Sequence, residues 1–312
     1  MIERRAALAC VIAAAIAALA GCGVGPGAER SGHGVDLRVT RDFGHERLIA
    51  KDGLRIREDE TVMRMLERNA DVDTRFGGGF VQSIDGVAGR GPGGTSDWFY
   101  YVNGIEADEG AADYELSPGD VVQWDRREWS ETADVRAIVG AFPQPLLGGL
   151  GGKRFPVRVE CQDSESAPCR DVKQTLRDAG IPASGSSLGA PGNQNVARVV
   201  VADWARARAL PSARSIELGA QRSGVFARFT DGGETLELLG EDGEPVREAG
   251  AGAGLIAALR PTDDELLWLV TGVDDAGVAA AAAALRPRVL RDAFAIALVD
   301  GRAEKLPLRA ER

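Results

Sequence analysis

The sequence predicts an α+β fold class in two folded parts. Apolar residues alternate at Val35, Leu37 and Val39, as on a strand, and residues 47–50 can supply an antiparallel partner. A short helix follows and then further strands, an order that suits one helix packed across a mixed sheet. Beyond residue 153, strands and helices alternate instead. We therefore expect a β-grasp-like N-terminal domain followed by an α/β domain with two β-α-β units.

Local signals mark the elements of the N-terminal domain. Asp59 or Thr61 can cap the short helix, on which Val62 and Leu66 share one apolar face. The pair Asn103-Gly104 follows an aromatic strand and predicts a hairpin, because both residues accept the positive φ of a type I′ turn.

The C-terminal domain shows the β-α-β pattern at both ends. We predict one unit with strands near 157–159 and 198–202 around a helix at about 168–179. The other unit has strands at 266–270 and 294–299 around an Ala-rich helix that ends at Leu285. Three middle segments are predicted to be short strands separated by turns: 215–218, 225–230 and 234–239.

The first 21 residues have the pattern of a signal peptide. Two arginines precede an apolar stretch of about 15 residues, shorter than a stable membrane-spanning helix needs, and it closes with Leu-Ala-Gly-Cys at residues 19–22. This close resembles the lipobox of bacterial lipoproteins, which implies a lipid on Cys22 and a location on the extracytoplasmic face of the cell membrane. An ordinary secretory signal cleaved near the same place is the alternative. Residues 22–34 are a Gly-rich tether.

Changes in composition divide the rest of the chain. Residues 35–130 form the first predicted domain, and residues 153–312 form the second. Between them, residues 131–152 contain prolines and glycines that interrupt every periodic pattern, which indicates a linker.

Cysteine usage fits an oxidising compartment. Once Cys10 leaves with the signal and Cys22 carries lipid, Cys161 and Cys169 remain, and we predict a disulfide between them. Their spacing lacks the second ligand pair of a zinc site, and both histidines lie far away in sequence, so no metal site is predicted.

Charge and motifs favour binding over catalysis. The net charge of −10 comes from acidic and basic residues that are mixed along the chain, which makes nucleic acid an improbable partner. The sequence shows no nucleophile elbow, no phosphate loop and no dinucleotide fingerprint. We therefore expect neither an enzyme nor a cofactor.

Aromatic residues concentrate in the N-terminal domain of a chain that is only 5% aromatic. Strand alternation puts Trp98 and Tyr100 on one face, and Phe99 and Tyr101 on the other. One pair must then lie outside the domain core unless a partner covers it. It either forms a binding surface or packs on the second domain.

Three ordered blocks resemble a known family. They read Gly-Phe-Val-Gln-Ser-Ile-Asp-Gly at 79–86, Asp-Trp-Phe-Tyr-Tyr-Val-Asn-Gly at 97–104 and Gly-Ala-Ala-Asp-Tyr-Glu-Leu-Ser-Pro-Gly-Asp-Val-Val-Gln-Trp at 110–124. Together they resemble the C-terminal domain of transcobalamin and intrinsic factor, over roughly residues 35–129. The resemblance implies ligand contacts at Phe80, Val81 and Trp98, with Phe99 and Tyr100 as neighbours. The α-helical barrel that encloses cobalamin in those carriers is absent from this sequence.

These observations predict a membrane-anchored extracytoplasmic lipoprotein that binds a ligand. The resemblance implies a corrinoid or another flat molecule, captured for a membrane transporter. The alternative is a structural or interaction module of the cell envelope that has no small-molecule ligand.

Overall fold

The structure is a computed structural model that describes residues 33–89, 94–130, 132 and 134–309. It contains helices and many strands, which confirms the mixed α+β prediction. We call residues 35–130 the N-terminal region and residues 153–309 the C-terminal region. The predicted signal peptide, Cys22 and most of the tether lie outside the described residues.

The described residues of the N-terminal region form eight strands and one short helix. In chain order they are β1 (Val35–Arg41), β2 (Glu46–Leu54), α1 (Val62–Glu67), β3 (Val72–Arg75), β4 (Phe80–Ile84), β5 (Val87–Ala88), β6 (Ser96–Val102), β7 (Ile105–Glu106) and β8 (Val121–Glu128). A 3₁₀ turn at Phe76–Gly78 joins β3 to β4.

Five of these strands form one mixed sheet in the order β2-β1-β8-β6-β7. β1 and β8 run parallel, and the other neighbours are antiparallel. Of the two predicted capping residues, Asp59 and Thr61, the structure has Thr61 at the start of α1, where its side chain accepts a hydrogen bond from the Arg64 amide. The buried Val62, Met65 and Leu66 of α1 join the sheet residues in one apolar core. Strands β3, β4 and β5 form a separate small sheet.

The turn between β6 and β7 is the predicted Asn103-Gly104 hairpin. Both residues have positive φ, 56° and 78°, as a type I′ turn requires. A Cβ on Gly104 would lie 2.6 Å from the Ile138 carbonyl oxygen, so close packing also requires glycine here.

The C-terminal region contains ten strands and six helices. In chain order they are β9 (Val157–Cys161), α2 (Ala167–Asp178), β10 (Ala183–Ser187), β11 (Val196–Asp203), α3 (Trp204–Ala207), α4 (Pro211–Arg214), α5 (Ala220–Ser223), β12 (Ala227–Thr230), β13 (Thr235–Leu239), β14 (Pro245–Ala249), β15 (Gly254–Thr262), β16 (Glu265–Gly272), α6 (Asp275–Ala284), α7 (Pro287–Leu290), β17 (Ala295–Val299) and β18 (Arg302–Leu306). Further 3₁₀ turns lie at Ser215–Leu218 and Asp231–Gly233.

Seven of these strands form one sheet in the order β10-β9-β11-β16-β15-β17-β18. The first four are parallel, and the last three join antiparallel. β9 and β11 pair in parallel, as the first predicted β-α-β unit requires, but the strand that directly follows α2 is the unpredicted β10, which pairs with the other edge of β9. In the second unit, β16 and β17 run in the same direction, but β15 lies between them. The middle segment Ser215–Leu218, expected to be a strand, is a 3₁₀ turn that buries only Ile216.

Residues 134–150 connect the two regions as an ordered segment. Ile105 and Ala137 form an isolated β-bridge, and the Ile138 amide donates to the Gly104 carbonyl. Val139, Phe142 and Leu146 are buried in the apolar cluster on one face of the seven-stranded sheet. The prolines and glycines of this segment therefore interrupt helix and strand without preventing packing.

The two regions share a continuous core. Phe43, in the loop between β1 and β2, is fully buried beside Phe226 and Phe294 of the C-terminal region. Polar contacts also join the two regions around Phe43. Lys305 Nζ donates to the Gly44 carbonyl at 2.6 Å, and His45 Nε2 donates to the Pro307 carbonyl at 2.7 Å.

No helix in the described part of the chain is long and apolar enough to cross a membrane.

Candidate functional site

Trp98 and Tyr100 belong to the core of the N-terminal region. Trp98 is 6% exposed, and its indole nitrogen donates to the Val87 carbonyl at 3.2 Å. The half-buried Tyr100 ring lies 5.0 Å from that of Trp124, and its hydroxyl donates to the Glu109 carbonyl. This face of β6 is therefore covered from within its own region.

Phe99 and Tyr101 face the C-terminal region. Tyr101 is fully buried, with its ring 5.6 Å from that of Phe294. The guanidinium of Arg127 lies over the Phe99 ring at 3.8 Å, and Phe99 packs against the shared core. Of the two arrangements that the alternation left open, the structure shows packing on the second domain.

Phe80 and Val81 are separated by the pleat of β4. Val81 is 5% exposed and lies in the same apolar core as Trp98. Phe80 is 39% exposed at the start of the strand. The structure thus brings Val81 and Trp98 together inside the core, and of the five predicted ligand residues Phe80 alone has a large exposed side chain.

The two predicted disulfide cysteines are bonded, with their Cα atoms 6.0 Å apart, which confirms that prediction. Within the described ranges, no group of three or more histidine, cysteine, aspartate or glutamate side chains is arranged to hold a metal ion.

A pocket of about 400 Å³ opens where the connecting segment meets the C-terminal region, and we call it the junction pocket. Three stretches of chain form its wall: residues 134–137, residues 211–223 and residues 259–261. The lining residues are Asp134, Arg136, Ala137, Pro211, Ser212, Ser215, Arg222, Ser223, Leu259, Arg260 and Pro261.

Short helical turns position the middle stretch of this wall. Asp203 caps α3 by accepting from the Arg206 amide, and Pro211 starts α4, where its missing N–H costs no hydrogen bond. Gly219 and Gly224 flank α5 with φ of 80° and 69°. This part of the chain therefore turns back repeatedly and presents short polar side chains to the pocket.

Arg260 is the most buried charged group of the junction pocket. Its side chain is 8% exposed, and Nη2 lies 3.1 Å from the Asp108 carboxylate. Nη1 is buried and has no hydrogen-bond partner among the described residues. A buried guanidinium nitrogen without an acceptor is unusual, because burial removes the water that would otherwise hydrate it.

Arg136 lies beside Arg260. Its Nη1 donates to the Arg260 carbonyl at 3.2 Å, and its Nη2 pairs with Asp263. Asp263 also lies 3.7 Å from Arg260 Nη2. The hydrogen bond from Arg136, with the charges of Arg136 and Arg260, holds the pKa of the exposed Asp263 carboxyl below its ordinary value. This corner of the pocket therefore favours negative charge.

The serine hydroxyls of the junction pocket are engaged within the fold. Ser212 Oγ donates to the Glu265 carboxylate at 2.6 Å, Ser215 Oγ to the Ser212 carbonyl and Ser223 Oγ to the Gly219 carbonyl. Glu265 also accepts from Arg198, whose guanidinium binds the fully buried Glu160. Ion pairs inside the sheet therefore fix the wall. Its arginines, unlike its serines, still have N–H groups that are not used in hydrogen bonds with the described residues.

A second cavity, of about 660 Å³, lies between the β1–β2 hairpin and residues 240–246. Its charges are mostly matched, since Arg41 binds Glu46 at 2.7 Å and Arg309 lies 3.8 Å from Asp42. Burial raises the pKa of Glu241 in its wall. Arg41 Nε is also buried without a hydrogen-bond partner among the described residues, but the Arg41 side chain is 39% exposed and Nε lies 3.9 Å from the Asp42 carboxylate.

No pattern in the sequence predicted the junction pocket. Arg136 and Arg260 are 124 residues apart, and Arg222 stands in a stretch without a motif. Scattered arginines are ordinary surface residues until the fold brings them together.

A comparison with family profiles found a match within the N-terminal region. The profile of a domain of unknown function, DUF4430, matches residues 59–127. None of the curated protein sequences matches the chain. A solved structure from Ruminococcus gnavus ATCC 29149, described as a "putative metal binding protein", is 17% identical. The alignment covers 31% of this chain and 98% of that one, with a TM-score of 0.25.

Proposed function

We propose that the protein is a lipid-anchored, extracytoplasmic binding protein that captures a small molecule in the junction pocket and catalyses no reaction. The observation that carries this proposal is the junction pocket itself, whose wall includes Arg260, a residue with a buried and unpartnered Nη1. Its volume of about 400 Å³ falls within the range of small-molecule sites, about 300–1,000 Å³, and such sites often lie where domains meet.

The anchor and the location rest on the N-terminal sequence. The Leu-Ala-Gly-Cys close at residues 19–22 supports lipidation of Cys22, and the glycines behind it would hold the folded part away from the membrane. The Cys161–Cys169 disulfide supports an oxidising compartment.

The ligand expectation comes from the resemblance to transcobalamin. We interpret the sheet order β2-β1-β8-β6-β7, with α1 across one face, as the β-grasp type. A corrinoid is therefore the first ligand to test, with a membrane transporter as the receiving partner. Because Trp98, Val81 and Tyr101 are buried, we place the site in the junction pocket rather than on the aromatic hairpin.

Membrane fractionation tests the anchor. We expect Cys22→Ser to move the protein from the membrane fraction to the soluble one, because no thiol remains to carry lipid. Cys10→Ser, inside the predicted signal, is the matched control and should fractionate like the parent. Equal retention of Cys22→Ser and the parent would show that the anchor assignment is wrong.

Ligand binding tests the pocket. Cobalamin is titrated by ultraviolet-visible absorbance, and a library of small molecules is screened by native mass spectrometry. Ser215→Trp should abolish binding of any hit, because an indole in the pocket wall takes up space that the ligand needs. Ser164→Trp, at an exposed position outside the pocket, is the control. A hit that binds Ser215→Trp as it binds the parent lies elsewhere.

One observation favours the second candidate, an interaction module of the cell envelope. Phe80 exposes 39% of its surface just after the turn Phe76–Gly78, within the matched DUF4430 segment. Under this candidate, Phe80→Ala should release a protein or glycan partner and leave small-molecule binding unchanged.

A further inference from the structure

We infer that the ligand of the junction pocket carries an oxyanion, a carboxylate or a phosphate, which binds Arg260 together with Arg136 and Arg222. This inference rests on the proposed function, since it names the chemical class of ligand for the same pocket.

The first support is the hydrogen-bonding state of Arg260. A guanidinium has five N–H donors in a planar fork that matches the two oxygens of a carboxylate or phosphate. In the described structure one edge of Arg260 faces Asp108 through Nη2, while Nη1 has no acceptor. Asp108 is itself 64% exposed and lies 4.0 Å from Arg136, so its single charge is shared between two arginines. A ligand oxygen at Nη1 would satisfy a buried donor that the fold does not satisfy.

The second support is the balance of charge around the pocket. Its lining contains three guanidinium groups and one carboxylate, that of Asp134. Arg222 makes no ion pair or side-chain hydrogen bond with the described residues, in contrast to Arg136. Asp263 and Asp108 already pair with Arg136 and Arg260, so Arg222 and the unpartnered Nη1 of Arg260 are the positive groups left for a ligand.

The third support comes from the hydrogen-bond donors that are left for a ligand. The hydroxyls of Ser212, Ser215 and Ser223 are already donated to acceptors of the fold. A neutral ligand that relies on hydroxyl donors would have to break those bonds. An oxyanion needs the arginines alone, and its charge-assisted hydrogen bonds are the stronger kind.

The test measures binding of sodium phosphate and of sodium succinate to the full chain by isothermal titration calorimetry. Sodium chloride keeps the ionic strength constant, and the two salts separate the phosphate source from the carboxylate source. We expect saturable binding of at least one of them. Arg260→Gln should weaken it by about 10- to 100-fold, the equivalent of one lost charged hydrogen bond. Arg247→Gln, at a surface arginine paired with Glu304, should bind as the parent does.

Arg222→Gln keeps the inference testable if Arg260→Gln fails to fold, because Arg222 is exposed and unpaired among the described residues. It should also weaken binding, with an unchanged melting temperature. Heats no larger than those of sodium chloride, or parent-like binding in folded Arg260→Gln and Arg222→Gln, would overturn the inference. If a neutral molecule binds and Ser215→Trp abolishes its binding, the proposed function stands and the oxyanion is wrong. If no ligand of either kind binds, both are wrong.

Discussion

The Phe43 ring packs edge-to-face against the Phe294 ring, with centroids 5.3 Å apart. This contact joins the β1–β2 loop to the residue that directly precedes β17. The centroid of the Phe43 ring also lies 4.8 Å from that of Phe226. The backbone of this loop is fixed by two hydrogen bonds, because the Phe43 and Gly44 amides both donate to the buried Asp125 carboxylate. One side chain of the N-terminal region is therefore part of the core of the C-terminal region. This arrangement predicts that the two regions unfold together.

We expect Phe43→Ala to lower the free energy of unfolding by about 3–5 kcal/mol, because it removes a fully buried aromatic ring at the contact between regions. It should also separate the two regions into distinct transitions during urea denaturation followed by circular dichroism and tryptophan fluorescence. Leu218→Ala, at a side chain that is 66% exposed, is the control and should change stability by no more than about 0.5 kcal/mol. Coincident transitions with parent-like stability in Phe43→Ala would contradict the shared core.

Trp98 gives the second prediction. Because it is buried beside Trp124 and Val81 in one apolar cluster, Trp98→Ala should cost about 3–5 kcal/mol of stability. Trp98→Phe keeps most of the ring and loses the hydrogen bond to Val87, so its cost should be smaller. Melting temperature and ligand affinity are measured on the same variants. Unchanged stability with weakened ligand binding would instead make Trp98 a binding residue.

Local sequence patterns sufficed for several elements of this fold. The Thr61 cap and the Asn103-Gly104 turn are decided by their own side chains and backbone preferences, and both appear where the patterns put them. The parallel pairing of β9 with β11 likewise follows from two apolar strands around one helix.

Other elements depend on contacts that local sequence does not encode. β10 reads Ala-Ser-Gly-Ser-Ser and has no strand pattern, yet it forms an edge strand because β9 offers it a parallel partner. β15 enters between β16 and β17, although it precedes both in sequence. The alternation of β6 predicted two aromatic faces, but only the fold shows that Phe294 covers Tyr101.

The disulfide gives the third prediction. The bond closes a loop with a sequence separation of 8, so few unfolded conformations are excluded by it. Replacing both cysteines by alanine should therefore cost only about 2–3 kcal/mol by the loop-entropy argument. Urea denaturation of this variant, compared with the parent before and after reduction, measures the cost. Peptide mapping of the unreduced parent should recover Cys161 and Cys169 in one linked species, and recovery as free thiols would contradict the bond.

The last prediction concerns pH. Glu106 is half-buried beside Arg127, with 3.7 Å between their charged atoms and 24% of its side chain exposed. Burial raises its pKa from the ordinary 4.5 to about 7; Arg127 and Arg136 oppose this shift, while Asp134 and Asp108 add to it. A folded pKa above the unfolded one means that the protonated carboxyl is favoured by folding. Its contribution to stability is therefore fully present below pH 4.5 and is lost as the pH rises through 7.

Glu106→Gln tests this sign, because the amide remains neutral at every pH. One pKa unit corresponds to about 1.4 kcal/mol. The free energy of unfolding of the variant minus that of the parent should therefore increase by at most about 3 kcal/mol between pH 4.5 and pH 8. Glu58→Gln makes the same charge change at an exposed position and should show no such gain. Urea denaturation at both pH values measures the difference. If the variant instead loses stability relative to the parent as the pH rises, the ionised Glu106 is needed as the partner of the buried Arg127, and the net effect of burial has the opposite sign.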